Sequence, residues 1–309
     1  MGIVYSNCAN CSGEGAVDLL EANRRLNDKF SALGQILTAY MREAPLDRAL
    51  RNAHAHNFSI IAERIFGGSV VNTGYEECCL IGEAFPNGTM RWFCTGVLVH
   101  PQIVLTAGHC HQPPRINASV VALNCTDMNA LALAEIVPVK VSASNPLYPQ
   151  TGRSDITAII LKTPAVTPPS LLATTEELIN STDLTLVGFG NSDPHGTKGF
   201  GIKRKVEVAI LGMRRSPSDN LDAEELQYGF ESDVEVIAGG DGFDSCNGDS
   251  GGPGYVVDTS GQIKAAVLTS RAFRNAPQSC GGGGIYTRID KHLEFINTVG
   301  APYGVELRL

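Results

Sequence analysis

The chain is short of charge. Of its 309 residues, 18% are Asp, Glu, Lys or Arg, below the usual quarter, while 43% are hydrophobic. That balance argues against a disordered chain and supplies apolar surface for one or two domains. Long basic runs are also missing. The longest, "IKRK" at 202–205, is too short for a nucleic-acid or membrane-surface footprint, and the net charge is −8. No apolar run reaches the ~18 residues that a transmembrane segment needs. The opening "MGIVYSNCAN" has neither a charged n-region nor a long apolar h-region, so it does not read as a secretory signal. It does fit the short Met-Gly-x-x-x-Ser pattern of myristoylation, with Cys8 and Cys11 nearby.

Metal spacing is absent as well. Cys8-x-x-Cys11 has no second pair at zinc-finger distance, and His54 and His56 fall on different faces of any helix. Between His109 and Asp155 the only acids are Asp127 and Glu135, which excludes a calcium cluster there. Neither a metal nor a cofactor is expected. The nine cysteines leave at least one unpaired within the chain. Five Asn-x-Ser/Thr sequons, at Asn57, Asn87, Asn117, Asn124 and Asn180, matter only on a chain exported from a eukaryotic cell.

Two kinds of patterning are present. Over residues 15–41, Leu19, Ala22, Leu26, Phe30, Leu33, Leu37 and Tyr40 recur at helical spacing, and Ala44-Pro45 marks a break. A weaker helical stretch follows over 47–56. After "AERIFGG" the character changes to short β-branched and aliphatic runs: "VLVH", "QIVLTA", "ASVVAL", "EIVPVKV", "ITAIIL", "DLTLVGF", "KVEVAIL", "VEVIA", "IKAAVLTS" and "GIYTRI". Turn residues separate them, and no βαβ alternation or internal repeat appears. The pattern points to an all-β sandwich or barrel. The Pro-rich stretch 163–175 reads as a connection between two β units, and "DKHLEFINTVG" as a closing helix ended by Gly300.

Three residues suggest chemistry. "CNGDSGGPG", 246–254, surrounds Ser250 with glycines that let a backbone turn sharply and a carbonyl approach. A serine hydroxyl is a weak nucleophile without a base. His109 ends the apolar run "IVLTAGHC", and Asp155 heads "SDITAIIL". Alone, each reads as an ordinary turn or strand-end residue. Together they supply a nucleophile, a general base and an orienting carboxylate, and the Gly248 and Ser250 N–H groups would supply an oxyanion hole.

The blocks "FCTGVLVHPQIVLTAGHC", "SDITAIIL" and "DSCNGDSGGP" resemble, in this order, the signatures of the trypsin/chymotrypsin family of serine peptidases. "LVGFGN" (186–191) and "GGIYTRI" resemble lesser family segments, and the likeness covers about residues 65–300. It implies two six-stranded antiparallel barrels with a C-terminal helix, the first over about 65–165 and the second over about 175–290. These would form a peptidase domain over 65–309, preceded by a helical propeptide or interaction segment over 1–64. The implied triad is His109, Asp155 and Ser250, and the implied disulfides are Cys94–Cys110 and Cys246–Cys280. Such disulfides would imply a secreted or extracytoplasmic protein.

The same resemblance assigns specificity and activation. Asp244, six residues before Ser250, matches the floor of the primary pocket in the trypsin-like branch, with Ser245 beside it and Gly284 as the small wall residue. A carboxylate there implies cleavage after Arg or Lys, because a neutral substrate side chain would leave a buried charge unpaired. "RIFGG" resembles the family's activation site, so a cut after Arg64 would free the Ile65 amine to pair with Asp249. The implied partners are protein or peptide substrates, an activating protease and protein inhibitors. The chain departs from the family after Ser270, where the usual Trp-Gly is replaced by about Arg271 and Ala272. The competing expectation is a catalytically silent binding protein on the same fold.

Overall fold

The computed structural model describes residues 68–193, 197–276, 278 and 280–308. The helical expectations for 1–64, and with them Arg64 and Ile65, lie outside the described residues. The remainder is built on fourteen strands among the described residues: β1 (Ser69–Val70), β2 (Cys78–Ala84), β3 (Met90–His100), β4 (Ile103–Thr106), β5 (Val120–Leu123), β6 (Glu135–Ser144), β7 (Thr157–Leu161), β8 (Leu171–Leu172), β9 (Asp183–Gly188), β10 (Arg204–Gly212), β11 (Glu235–Ala238), β12 (Pro253–Val257), β13 (Ile263–Ala272) and β14 (Gly284–Arg288).

Six strands close the first barrel in the order β2-β3-β4-β7-β6-β5. The second closes through β10-β11-β14-β13-β12-β9, because β9 pairs with both β12 and β10. All pairs within both rings are antiparallel. Closure removes the exposed edges that an open sheet of this size would leave. Hairpin chemistry is local where it can be. Between β2 and β3, Asn87 accepts the Thr89 N–H at 3.0 Å and Gly88 takes φ +83°.

Burial explains why several strands are apolar on both faces. Ile81, Leu98, Val104, Val121, Val137 and Ile159, drawn from all six strands, form one cluster inside the first barrel. Their neighbours of opposite parity, Leu80, Val97, Ile103, Leu105 and Ile160, join Val187, Phe189, Tyr255 and Leu268 of the second barrel in a shared core. "IVLT" and "TAIIL" therefore read as continuous apolar runs, because the period-two alternation sends each parity into a different core. Each such side chain stabilises the fold by about 1.5–3 kcal/mol when fully buried.

The ten expected strand runs all become strands. The short strands β1 and β8 were not anticipated, and neither were β2 and β12. The β2 pairing with β3 shifts register between Ile81 and Gly82, and β12 starts directly after the glycine-rich turn that holds Ser250. The Pro-rich connection is more than a spacer. Ser170 N–H donates to Leu98 O at 2.9 Å, and β8 pairs in parallel with β13, so the segment bonds to both barrels. It ends in a short helix, α2 (Thr175–Asn180), which follows α1 (Tyr148–Thr151) and precedes α3 (Asp222–Tyr228) and α4 (Leu293–Gly300). Thr174 and Glu177 form a capping box at the start of α2.

The α-helical part of the closing segment ends at Gly300 as expected, but not through a left-handed glycine there. The chain continues through a 3-10 turn, Ala301–Tyr303, and the left-handed residue is Gly304 at φ +70°. Gly300 serves close packing instead, since a Cβ there would lie 2.4 Å from the Val305 carbonyl oxygen. Gly300→Ala would gain up to ~1 kcal/mol of helix propensity but cost about 1–3 kcal/mol in overpacking against backbone. The expected outcome is a lower melting temperature by calorimetry; an unchanged or raised one would refute this role for the glycine.

Candidate active site

His109 sits in a 3-10 turn, Gly108–Cys110, two residues after the fully buried β4. The turn is stapled to β3 by the Cys94–Cys110 disulfide, with Cα atoms 6.3 Å apart. A Cβ on Gly108 would be a tight fit, 3.0 Å from both Asp155 Oδ1 and the Tyr148 ring. Asp155 precedes β7 and follows Ser154, whose φ of +52° is strained for a residue with a side chain. That backbone turns the Asp155 carboxylate inward, where it is 2% exposed.

Three donors satisfy this buried carboxylate. His109 N–H donates to Oδ1 at 2.9 Å, the imidazole Nδ1 lies 2.8 Å from Oδ2, and Ser270 Oγ–H donates to Oδ2 at 2.7 Å. An ionised carboxylate only accepts, so this contact puts the imidazole proton on Nδ1 and leaves Nε2 with its lone pair. The ring itself remains partly open to solvent.

Ser250 comes from the second barrel, yet its main chain is tied to the first. Its carbonyl accepts Thr95 N–H at 3.0 Å, and Cys110 Sγ lies 3.6 Å from the same oxygen. Gly251 follows at φ +77°; a Cβ there would stand 2.0 Å from Thr106 Oγ1 and 2.4 Å from the Ala107 nitrogen. Only glycine lets the serine loop approach the His109 turn this closely. Gly248, at φ +98°, gives its carbonyl to Thr95 Oγ1 at 2.9 Å. Among the described residues, neither the Gly248 nor the Ser250 N–H donates a hydrogen bond to protein.

Asp249 points away from this surface. It is 2% exposed and accepts Gly190 N–H at 2.7 Å and Cys246 N–H at 2.8 Å. The glycines of "LVGFGN" make its space: a Cβ on Gly188 would lie 2.2 Å from its Oδ1. Burial pushes its carboxyl up to about 7, against the pull of its two N–H donors and of Arg204.

A second buried acid stands nearby. Asp244 is 1% exposed and takes Tyr286 Oη–H at 2.7 Å, Ser245 N–H at 2.7 Å and the Ser245 hydroxyl at 3.3 Å. A Cβ on Gly284 would sit 2.9 Å from Asp244 Oδ1, so the three residues expected to form a pocket do converge. Burial raises the Asp244 carboxyl to about 6, while its hydrogen-bond donors lower it. The Cys246–Cys280 disulfide, Cα atoms 4.8 Å apart, ties the serine loop to the segment before β14. Cys78, Cys79 and Cys125 are buried free thiols.

Three participants were missed in the sequence. Tyr286 lies two positions after Gly284 on β14, and strand periodicity alone puts both on one face. Ser270 and Tyr148 carry no comparable local signal. Cys94, His109 and Cys110 cluster closely enough to suggest metal ligation, but the disulfide consumes both sulfurs.

Comparison with known proteins finds serine-protease relatives. Serine protease ea of Drosophila melanogaster is 26% identical over 278 residues, spanning 78% of this chain and 69% of that protein. CLIP domain-containing serine protease B10 of Anopheles gambiae is 25% identical, spanning 76% and 69%. Mouse tryptase is 29% identical, spanning 66% and 77%. A solved structure of GrC superposes with a TM-score of 0.57 at 20% identity, covering 76% of this chain and 99% of that one. The Trypsin family model matches residues 65–296, and with two closed antiparallel barrels and these serine-protease relatives the chain belongs to the trypsin family.

Proposed function

We propose that this chain is a serine endopeptidase that hydrolyses peptide bonds after Arg or Lys. The contact that carries the reading is the 2.8 Å link between His109 Nδ1 and buried Asp155, with the Ser250 main chain fastened to the same turn. In the proposed reaction His109 Nε2 takes the proton of Ser250 Oγ as that oxygen bonds to the substrate carbonyl carbon. The Gly248 and Ser250 N–H groups stabilise the resulting oxyanion. The tetrahedral adduct collapses, the C–N bond breaks, and imidazolium returns its proton to the leaving amine. Water, deprotonated by His109, then attacks the acyl-enzyme and releases the acid and free Ser250. Asp155 stays ionised throughout.

Asp244, with Ser245, Gly284 and Tyr286 gathered around it, supports the Arg/Lys preference, since a desolvated carboxylate gains most from a cationic side chain. The full burial of Asp249 supports activation by a cut after Arg64, with the Ile65 amine supplying the cation. Residues 1–64 would then be a propeptide or interaction segment before the peptidase domain. Two disulfides support a secreted or extracytoplasmic site of action, with protein substrates, an activating protease and protein inhibitors as partners.

A fluorophosphonate probe tests the chemistry. It is expected to label Ser250 in wild-type chain already cut after Arg64 and not in cut Ser250→Ala; a cut wild type that stays unlabelled would favour a silent binding protein. A peptide library tests the pocket. Cleavage after Arg or Lys should fall at least about a hundredfold in Asp244→Asn, whereas a preference for large apolar residues would remove Asp244 from its assigned place.

The raised Asp244 carboxyl gives a pH signature. A cation binds the ionised form, so benzamidine affinity should be level above about pH 6 and fall up to about tenfold per unit below it. Titration calorimetry that finds no such fall would contradict the assignment. Arg64→Gln should leave the chain intact and nearly inactive until another cut is made. Full activity of that intact variant would end the activation proposal.

A further inference from the structure

We propose that Arg271 and Glu235 form a positioning pair that holds the carboxylate of Asp155 in place through the Ser270 hydroxyl, an inference that rests on the catalytic reading above. The local backbone sets it up. In the β13–β14 ladder Thr269 faces Tyr286 and Arg271 faces Ile285, so Ser270 is an extra residue in the strand. A bulge re-aims the side chains beside it. Here it sends Ser270 to Asp155 Oδ2 at 2.7 Å and Arg271 to the other side of the hydroxyl, with Nη1 3.2 Å from Ser270 Oγ.

The direction of this chain of bonds follows from what each group can do. A guanidinium only donates, and an ionised carboxylate only accepts. Ser270 Oγ must therefore accept from Arg271 and spend its single proton on Asp155. Without Arg271 the hydroxyl oxygen loses the donor that fixes it from the other side and is held by Asp155 alone. Arg271 is itself fixed by Glu235, which is fully buried at the head of β11. Nη1 reaches Oε1 at 2.6 Å and Nη2 reaches Oε2 at 2.9 Å, while Nη2 also donates to Gly229 O at 3.0 Å. Glu235 Oε2 is held in turn by Glu231 N–H at 2.8 Å. The result is a continuous line from β11 to the imidazole: Glu235, Arg271, Ser270, Asp155, His109. Lysine could not replace Arg271, because one ammonium cannot grip both carboxylate oxygens and the hydroxyl in a planar fork.

Removing Arg271 alone would leave a buried carboxylate uncompensated, so the pair is best removed together as Arg271→Met/Glu235→Gln in the full chain. The readout is a double-mutant cycle against Ser270→Ala, measuring kcat and KM for an N-acyl-arginine anilide after each variant has been cut following Arg64, with the denaturation midpoint recorded for each variant. Ser270→Ala and the pair replacement are each expected to lower kcat by about ten- to a hundredfold with KM little changed. The triple variant should match Ser270→Ala within about twofold. If the losses multiply, or if the pair replacement keeps wild-type kcat, the proposal is overturned. Should that replacement fail to fold, Arg271→Lys retains the charge beside Glu235 and takes its place in the same cycle. It is expected to lose kcat in the wild-type background and nothing further on Ser270→Ala; undiminished kcat would refute the bridging role. Failure of the wild type, once cut after Arg64, to react with a fluorophosphonate would instead refute the catalytic reading itself.

Discussion

Thr95 is the junction on which the arrangement of the site depends. It is fully buried on β3, and all its polar groups are engaged. Its N–H holds the Ser250 carbonyl, its Oγ1–H holds the Gly248 carbonyl, and its own carbonyl takes Thr106 Oγ1–H at 2.7 Å. Phe189 N–H of the second barrel donates to the same Oγ1 at 3.1 Å. One residue thus ties together the serine loop, the strand leading to His109 and the "LVGFGN" segment. Buried polar groups must find partners, and here the partners lie in different barrels. That requirement sets the register between two cores that would otherwise be free to slide over a largely apolar contact.

Four buried carboxylates then divide the electrostatic work. Asp155 is fully committed to three donors, and Glu235 is paired with a guanidinium. Asp244 and Asp249 rely on neutral donors, and burial raises both. For Asp249 the folded value is about 7 against an ordinary 3.8. A raised acid stabilises the fold fully only below its unfolded value, and that contribution is lost as pH rises through about 7. At neutral pH both sites therefore gain from the arrival of a cation. In the proposed function one cation is a substrate side chain and the other a new chain terminus.

Glycine has two distinct uses around these acids. Gly248 and Gly251 adopt positive φ that suits no other residue well, and Gly251 also allows the serine loop to meet Ala107. Gly188 and Gly190 matter for space alone, because any side chain would overlap the Asp249 carboxylate. This answers why "CNGDSGGPG" and "LVGFGN" are both poor in bulk: the first must turn tightly against the His109 loop, and the second leaves room for the Asp249 carboxylate.

Much of the protein was legible along the chain. Ten strand runs, the closing helix, both disulfide pairings implied by the family likeness and the pairing of His109 with Asp155 could be anticipated. These rest on short-range signals: apolar periodicity, glycine placement and ordered signature blocks. What the tertiary structure alone decided are contacts between residues far apart in sequence. Thr95 meets Gly248 across 153 positions, Ser270 meets Asp155 across 115, and Tyr286 meets Asp244 across 42. Neither Thr95 nor Ser270 differs locally from any other strand hydroxyl, and Arg271 reads as a departure from the family until Glu235 stands opposite it. A side chain's neighbours across a barrel depend on strand register and on a single bulge, and a one-residue slip in either would aim every one of these groups at the opposite face.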